Sequence, residues 1–217
     1  MNYFSNVYLE QLEVGPMQNF VYLIGDKEKR ECVIVDPAWD VEEIYRQINR
    51  DSMKVVGALV THAHYDHVNG LDELLKRMNA KVYCNKEEAP FLKKWRSELK
   101  KVSDGDQLKV GDTQITFLHT PGHTPGSQCF LMENKLVSGD TLFIQACGRC
   151  DLPGGDAEKM YYSLKRLSDL GDKTILYPGH NYADDRSSTI GQEKRDNPYL
   201  QTPSLQEFLT FRMGLKP

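Results

Sequence analysis

Short apolar runs separated by turn residues dominate the first part of the chain. Residues 55–60 read VVGALV, and a continuous apolar run of this length is typical of a strand buried on both faces. Another run ends at Asp36 and Pro37, because proline cannot donate a hydrogen bond to a strand ladder. The strands predicted in this half span residues 6–12, 19–24, 32–36 and 54–60.

A second pattern, in which apolar residues recur three and four positions apart, indicates amphipathic helices between the strands. It predicts one helix over 41–48 and another that runs from Leu71 to Met78. The second half of the chain repeats this alternation. Its predicted strands span 113–119, 129–132, 135–137 and, as the last strand, 173–177; its predicted helices span 156–167, with Asp156 as the N-cap, and 205–211.

No proline- or glycine-rich linker divides these elements. At 217 residues the chain is long enough for one large domain with a full hydrophobic core. We therefore predict an α/β protein in which a single domain, residues 1–217, is built from two halves that each contain strands and helices.

Composition and charge narrow the possible functions. The chain is 40% hydrophobic and 27% charged, as is usual for a globular protein, and its net charge of -4 comes without a lysine- or arginine-rich block, which argues against nucleic acid as a partner. No apolar stretch approaches the roughly 18 residues of a membrane span. The five cysteines are odd in number and scattered, as expected in a reducing compartment. With no signal peptide visible, we expect a cytoplasmic protein, unless a short presequence has been removed.

Five of the six histidines fall into three short clusters. Each cluster comes directly after a predicted strand, and Asp140 follows another. Open α/β sheets bind ligands at such strand ends, so we expect these side chains to gather at one edge of the sheets. His119 stands outside the clusters and is expected to be an ordinary structural residue. The clustered residues are His62, His64, Asp66 and His67, then His123, and then His180.

Imidazole and carboxylate groups together suit zinc, iron or manganese. Seven of them are too many for one four-coordinate ion and about right for two ions that share a bridging ligand. His62 and His64 can turn toward one ion from an irregular loop, and Asp66 and His67 toward a second. Two adjacent ions make a hydrolytic nucleophile from water at neutral pH. The pattern therefore predicts a two-metal hydrolytic site.

At these residues the chain resembles the metallo-β-lactamase superfamily, over essentially its whole length. The HxHxDH run at 62–67, the later histidines and the Gly-Asp pair at 139–140 carry the resemblance. It implies a four-layer αββα sandwich of two mixed sheets flanked by helices, classed as α/β or α+β. It also implies that Asp36 shapes the ligand loop. The implied ligands are His62, His64 and His123 for one metal, Asp66, His67 and His180 for the other, and Asp140 as the bridge.

Within this superfamily the flanking residues resemble glyoxalase II, a glutathione thioester hydrolase, and its sister persulfide dioxygenases. Residues 139–143 (GDTLF), 147–149 (CGR) and 177–182 (YPGHNY) carry that likeness. Glyoxalase II usually has Lys and Tyr after the Cys-Gly pair, where this chain has Arg149, Cys150 and Asp151, and it has a longer helical C-terminal region. Arg149 with Asp151 is nearer to the dioxygenases. Arg149 and Tyr182 are the predicted substrate contacts.

These features lead to one main hypothesis and two alternatives. The main one is a hydrolase with two divalent ions, zinc first and iron or manganese as alternatives, that cleaves a thioester of a small molecule, with a glutathione conjugate as the candidate substrate. Asp66 would be a metal ligand, or would orient a water if its metal is absent. The resemblance also implies an alternative, a persulfide dioxygenase with a single Fe(II) on His62, His123 and Asp140. A non-catalytic metal-binding protein is the third hypothesis. The motif formed by Cys147 and Cys150 is interpreted as part of a loop rather than a redox pair.

Overall fold

Two six-stranded sheets form the centre of the molecule. The computed structural model describes residues 5–214, so the predicted domain, 1–217, extends beyond the described residues at both ends. The first sheet has the strand order β1-β2-β3-β4-β5-β6. Its strands are β1 (Val7–Val14), β2 (Asn19–Asp26), β3 (Glu31–Val35), β4 (Lys54–Leu59), β5 (Val82–Asn85) and β6 (Leu99–Val102).

The second sheet is formed by the second half of the chain. Its strands are β7 (Gln107–Val110), β8 (Thr113–His119), β9 (Gln128–Met132), β10 (Lys135–Gly139), β13 (Ile175–Pro178) and β14 (Ser188–Thr189). Between β10 and β13 the chain forms a separate two-stranded ribbon of β11 (Leu142–Phe143) and β12 (Ala146–Cys147). Their order is β14-β13-β10-β9-β8-β7. Both sheets are mixed: β3 to β6 run parallel in the first, and β10 and β13 run parallel in the second.

Helices cover the outer faces of both sheets, which confirms the predicted αββα architecture. Strand β2 shows how alternation produces the layers: Phe20 and Tyr22 pack between the two sheets, whereas Val21 and Leu23 pack outward in the core formed with the first helices. The helices are α1 (Val41–Arg50), α2 (Tyr65–Val68), α3 (Leu71–Arg77), α4 (Ala157–Ser168), α5 (Ile190–Asp196) and α6 (Leu205–Met213).

The layer between the sheets is the most aromatic part of the core. Phe117 and Phe130 meet edge to face with their ring centroids 5.5 Å apart, and both are buried. The outer face of the second sheet packs against Met160 and Leu164 of α4 and Phe208 of α6. The C-terminal helix is therefore part of the fold, and its packing positions the loop that follows β12.

Several predicted elements are confirmed within a few residues. The hairpin between β9 and β10 turns at Glu133, which has a positive φ of 47°, and Asp156 caps α4 by accepting a hydrogen bond from the Lys159 amide at 3.0 Å. The prediction that 173–177 holds the last strand was wrong, because the short strand β14 follows it and pairs with β13. No helix among residues 5–214 has the length and apolar character needed to cross a bilayer.

Candidate metal centre

The ends of four strands bring the predicted ligands together. The 62–67 run follows β4, His123 follows β8, Asp140 follows β10 directly, and His180 follows β13. Six of these residues form two groups of three, and within each group the three candidate ligand atoms lie within 4.8 Å of one another. The first group contains His62, His64 and His123, and the second contains Asp66, His67 and His180.

Asp140 lies between the two groups. Its Oδ2 is 3.6 Å from Nε2 of His123 in the first group and 3.4 Å from Nε2 of His180 in the second. Its Oδ1 is 3.4 Å from Nε2 of His67. The Asp140 carboxylate is therefore close to side chains of both groups.

Four of the histidines have their Nδ1 atom hydrogen-bonded away from the cluster. Because each partner is an acceptor, the neutral ring carries its proton on Nδ1 and directs the Nε2 lone pair into the cluster. The Thr61 hydroxyl also fits this role, since its own hydrogen goes to Asp36 at 2.5 Å. The partners are Thr61 Oγ1 for His62 (3.0 Å), Asp36 Oδ2 for His67 (2.9 Å), the Arg149 carbonyl for His123 (2.8 Å) and the Met17 carbonyl for His180 (2.8 Å).

The inner nitrogen atoms of the cluster lie about as far apart as ligand atoms on one metal ion. Nε2 of His67 lies 3.2 Å from Nε2 of His180, and Nε2 of His123 lies 2.9 Å from Nδ1 of His64. Ligand atoms on a tetrahedral zinc ion, at 2.0–2.1 Å from the metal, are about 3.3 Å apart. Among the described residues, Nε2 of His62 and Oδ1 of Asp140 are buried without any hydrogen-bond partner. A cation bound by each group would give these buried atoms a partner.

The charges within the cluster also favour cation binding. Burial, followed by the influence of His67, lowers the pKa of His62 well below its usual value, and burial with His123 lowers the pKa of His64 to about 4. Burial alone would raise the pKa of Asp140, but His67 and its neighbours lower it well below the usual range. His62 and His64 therefore offer neutral imidazoles and Asp140 offers an ionised carboxylate, which are the protonation states that bind metals.

His67 differs from the other histidines. Burial lowers its pKa, but the Asp140 and Asp36 carboxylates outweigh burial and raise it well above the usual value. Without an ion, a proton on Nε2 of His67 would be shared with Nε2 of His180, which lies 3.2 Å away. Metal binding would displace that proton, because only the unprotonated nitrogen coordinates.

Asp36 orients the ligand loop rather than joining the ligands. Its Oδ1 accepts from the Thr61 amide at 2.7 Å, and its Oδ2 accepts from the Thr61 hydroxyl and from His67 Nδ1. Asp36 lies among the candidate ligands grouped with His62 and His67, but three donors already use both oxygens. Its φ of 51° turns the chain out of β3 toward the loop, a conformation that Asp tolerates better than most residues.

We expect Asp36→Asn to weaken metal binding by roughly 10–100-fold, the usual cost of losing a hydrogen-bond partner of a metal ligand. Asparagine keeps the size and tolerates the positive φ, but one of its two terminal atoms is a donor and would face either the Thr61 amide or the donors at Oδ2. The measurement is competition for zinc with a chromophoric chelator. Asp185→Asn, at an exposed position, is the control, and equal zinc affinity in the two variants would contradict the assigned role.

The structure also shows supporting residues that the sequence pattern did not reveal. Asn19 donates a hydrogen bond to Oδ2 of Asp66 at 2.9 Å and accepts one from the Trp39 indole at 2.8 Å. Asp66 is therefore held by a residue 47 positions earlier in the chain. Glu88 contacts the backbone beside His64. Neither residue belongs to a motif, and both act across long sequence separations.

The two predicted substrate contacts lie in different environments. Tyr182 is 60% exposed and stacks on His180, with ring centroids 4.6 Å apart and an interplanar angle of 10°. Arg149 is exposed and forms a two-point ion pair with Asp151, at 3.0 and 2.8 Å. The Arg149 carbonyl, by contrast, faces inward and holds His123.

Cys147 is the last residue of β12, and Cys150 lies in the loop that follows it, between Arg149 and Asp151. Both thiols are free and buried, and burial raises the pKa of each. A raised pKa disfavours the reactive thiolate, in agreement with the interpretation of this motif as a loop rather than a redox pair. Arg212 of α6 donates to the Gly148 carbonyl at 3.1 Å and ties the same loop to the C-terminal helix.

Comparison with known proteins identifies the family. A family model described as the metallo-beta-lactamase superfamily matches residues 14–180. Over 195 residues, 89% of this chain and 87% of the relative, the chain is 33% identical to a Bacillus subtilis protein named "Probable polyketide biosynthesis zinc-dependent hydrolase PksB". It is 32% identical over 215 residues to hydroxyacylglutathione hydrolase GloC of Haemophilus influenzae, covering 90% of this chain and 99% of GloC.

A solved structure agrees with this. The crystal structure of ETHE1 from Myxococcus xanthus superposes with a TM-score of 0.84 at 30% sequence identity, covering 96% of this chain and 92% of that one. The sandwich of mixed sheets, the histidine and aspartate cluster at its strand ends and the family match lead to one conclusion. The chain belongs to the metallo-β-lactamase superfamily.

Proposed function

We propose that the protein is a hydrolase that uses two divalent metal ions, zinc first, to cleave a thioester of a small molecule. The observation that carries this proposal is the position of Asp140 between two separate groups of three ligand atoms. One ion would be held by His62, His64 and His123, and the other by Asp66, His67 and His180.

When bound, two such ions supply a water acidic enough to attack at neutral pH and a Lewis acid that polarises a carbonyl. The chain's own groups hold the ligands still: the carbonyls of Met17 and Arg149 and the carboxylate of Asp36 fix three imidazole rings by hydrogen bonds. A thiolate leaving group needs little proton transfer, because thiol pKa values are near 8.5. A thioester therefore suits a site whose side chains bind metal ions and do not have to protonate the leaving group.

Asp66 has a second role in this proposal. Asn19 binds its Oδ2 and its backbone carbonyl, at 2.9 and 3.1 Å, which fixes the side chain at the edge of the cluster. Asp66 would be a metal ligand in the two-ion state. With its ion absent, the same carboxylate would orient a water.

The surroundings of the cluster favour a substrate with an apolar part. A small cavity beside His64 has mainly apolar walls, and Phe91 at its mouth is 60% exposed. On the other side, Tyr182 covers His180. The similarity to hydroxyacylglutathione hydrolase GloC, which extends over 99% of GloC, supports a hydroxyacylglutathione-like substrate. The residues that line the cavity are Ala63, His64, Glu88, Phe91, Thr124, Pro125 and Pro153.

Tyr182→Phe is expected to raise KM for a thioester about 2–10-fold and to leave zinc content unchanged. The expected factor is the free energy of one hydrogen bond between the phenol and the substrate, whereas the ring that stacks on His180 is retained. Steady-state kinetics and metal analysis of the purified variant provide the test. Tyr162→Phe removes the same hydroxyl from an exposed position on α4 and serves as the control. Identical KM values would remove Tyr182 from the substrate site.

A persulfide dioxygenase with a single iron is the second candidate. Two observations favour it. The chain is similar to the structure of ETHE1 and is 30% identical to a Bos taurus protein named "Persulfide dioxygenase ETHE1, mitochondrial". The Arg149–Asp151 pair lies at the position where the sequence resembles persulfide dioxygenases. Two histidines and one carboxylate leave positions open for oxygen and a substrate. His62, His123 and Asp140 would be those ligands.

One experiment separates the two candidates. Protein produced in metal-replete medium is analysed for metal content, and is then assayed for thioester cleavage and for oxygen uptake on glutathione persulfide. Two ions with thioester cleavage and no oxygen uptake support the hydrolase. One iron with oxygen uptake that depends on substrate overturns it in favour of the dioxygenase.

A further inference from the structure

Glu88 is a buried acid outside the predicted ligand set. It lies between β5 and a 3-10 turn formed by Ala89–Phe91, and only 1% of it is exposed. Its neighbour Glu87 is exposed. A carboxylate buried to this degree is costly unless donors satisfy it, so its contacts indicate why it is there.

The Glu88 carboxylate connects two ligand loops. Oε1 accepts from the amide of Ala63 at 2.7 Å, between His62 and His64 in the chain. Oε2 accepts from the amide of Gly126 at 2.8 Å and from the hydroxyl of Thr124 at 2.9 Å. Thr124 directly follows His123. One side chain therefore joins the loop that carries two of the first group's histidines to the loop that carries the third.

A second hydrogen-bond chain orders the same loop. The Thr124 amide donates to Ser127 Oγ at 3.0 Å, and the two hydroxyls lie 2.7 Å apart. If the Ser127 hydroxyl donates to Thr124, the Thr124 hydrogen is available for Glu88, and every hydroxyl is satisfied. The space is tight as well: a Cβ added at Gly126 would lie 2.5 Å from the Cβ of Glu88.

We propose that Glu88 is a positioning residue that sets the distance between the His62–His64 loop and the His123 loop, and so controls metal binding in the three-histidine half of the site. This inference rests on the metal centre proposed above. It concerns one half only, because the contacts of Glu88 lie in the loops of the first ligand group, while Asp66, His67 and His180 are held by Asn19, Asp36 and Met17.

Positioning explains the contacts of Glu88 better than direct chemistry does. Burial raises the pKa of its carboxyl, and the bonds from Ala63, Thr124 and Gly126 counteract that increase. All three partners are donors, so both oxygens act as acceptors. Glutamine has a single acceptor oxygen, and its NH₂ group would face either the Ala63 amide or the donors at Oε2. Glu88→Gln is therefore expected to break the hydrogen bonds to one of the two loops while it changes the side-chain volume very little.

The test compares Glu88→Gln with Glu87→Gln, which changes the same group at the adjacent exposed position. Each purified protein is stripped of metal, titrated with zinc in competition with a chromophoric chelator, and unfolded thermally without metal. We expect Glu88→Gln to lower the affinity for one of the two zinc ions by roughly 10–100-fold and to leave the affinity for the other unchanged. Glu87→Gln should match the wild type.

Two backgrounds assign the weakened ion to one half of the site. In the His64→Ala background, in which the three-histidine half is disabled, adding Glu88→Gln should not weaken zinc binding any further. With His180→Ala, which disables the other half, it should still weaken the remaining ion. The reverse pattern would overturn the proposal.

The remaining outcomes are also decisive. A wild-type protein that binds no zinc, iron or manganese would refute the metal centre itself. If the wild type binds two ions and Glu88→Gln binds them equally well, only the role of Glu88 is refuted. Equal weakening of both ions with a lower unfolding temperature of the metal-free protein would show a purely structural role and also overturn it. If Glu88→Gln does not fold, Thr124→Val removes one of the three bonds, and unchanged zinc affinity in that variant would reject the proposal.

Discussion

Asp140→Asn is expected to lower the kcat/KM of thioester cleavage by more than roughly 100-fold and to weaken the binding of both ions. Losing a hydrogen-bond partner of a metal ligand alone costs roughly 10–100-fold, and a bridging ligand is in direct contact. Asp140 lies within 3.4–3.6 Å of histidine nitrogens from both groups. An amide supplies one oxygen, and its NH₂ group would point hydrogens at the ion on the other side.

The measurement combines steady-state kinetics with metal content determined by mass spectrometry. Asp169→Asn, at the end of α4 and away from the cluster, is the matched control. A variant that keeps both ions and the wild-type rate would show that Asp140 is not a bridge. Loss of both rate and metal with an intact fold, followed by circular dichroism, is the expected result.

The clustering of these histidine and aspartate side chains could be predicted because each of them follows a strand that the local sequence indicates. Strand β4 is a continuous apolar run, so its end, and the histidine loop after it, could be placed from the pattern of residues alone. The same holds for His123 after β8 and Asp140 after β10. A strand end directs the following side chains to the edge of the sheet, so position along the chain becomes position in space.

The groups that orient the ligands were not predictable, because they come from distant parts of the chain. Met17 and His180 are 163 positions apart, and Asn19 and Asp66 are 47 apart. Two of these partners are backbone carbonyls, of Met17 and of Arg149, which every residue type possesses. Only tertiary packing decides which carbonyl meets which imidazole.

The strands that escaped prediction are all short. Strands β5, β6 and β7, in the middle of the chain, have four residues each, and β11, β12 and β14 have two each. Strand β6 contains the consecutive exposed lysines Lys100 and Lys101, so it shows no alternation of apolar and polar residues. Such segments become strands by adding to an existing sheet edge rather than through their own propensity. Glu88 lies just after β5, which explains why its role was hidden as well.

Removing the metal ions is expected to lower Tm by roughly 10–20 °C. At a free zinc concentration of 100 Kd, each ion that binds only the folded state stabilises it by about 2.7 kcal/mol. A chain of this size shifts its Tm by about 2–4 °C per kcal/mol, and two ions together give the expected range. The structural reason is the cluster itself, where Nε2 of His62 and Oδ1 of Asp140 are buried without partners among the described residues.

The measurement is differential scanning calorimetry across a series of buffered free zinc concentrations, with a chelator-treated sample as the metal-free reference. An unchanged Tm would contradict a metal centre in the folded protein. The series also counts the ions, because above Kd the stability rises with the logarithm of free zinc with a slope proportional to the number of ions bound. A slope that corresponds to two ions supports the Asp140 bridge. A slope that corresponds to one ion and stays the same in Asp66→Ala would show that this ion does not depend on Asp66, as the set of His62, His123 and Asp140 requires.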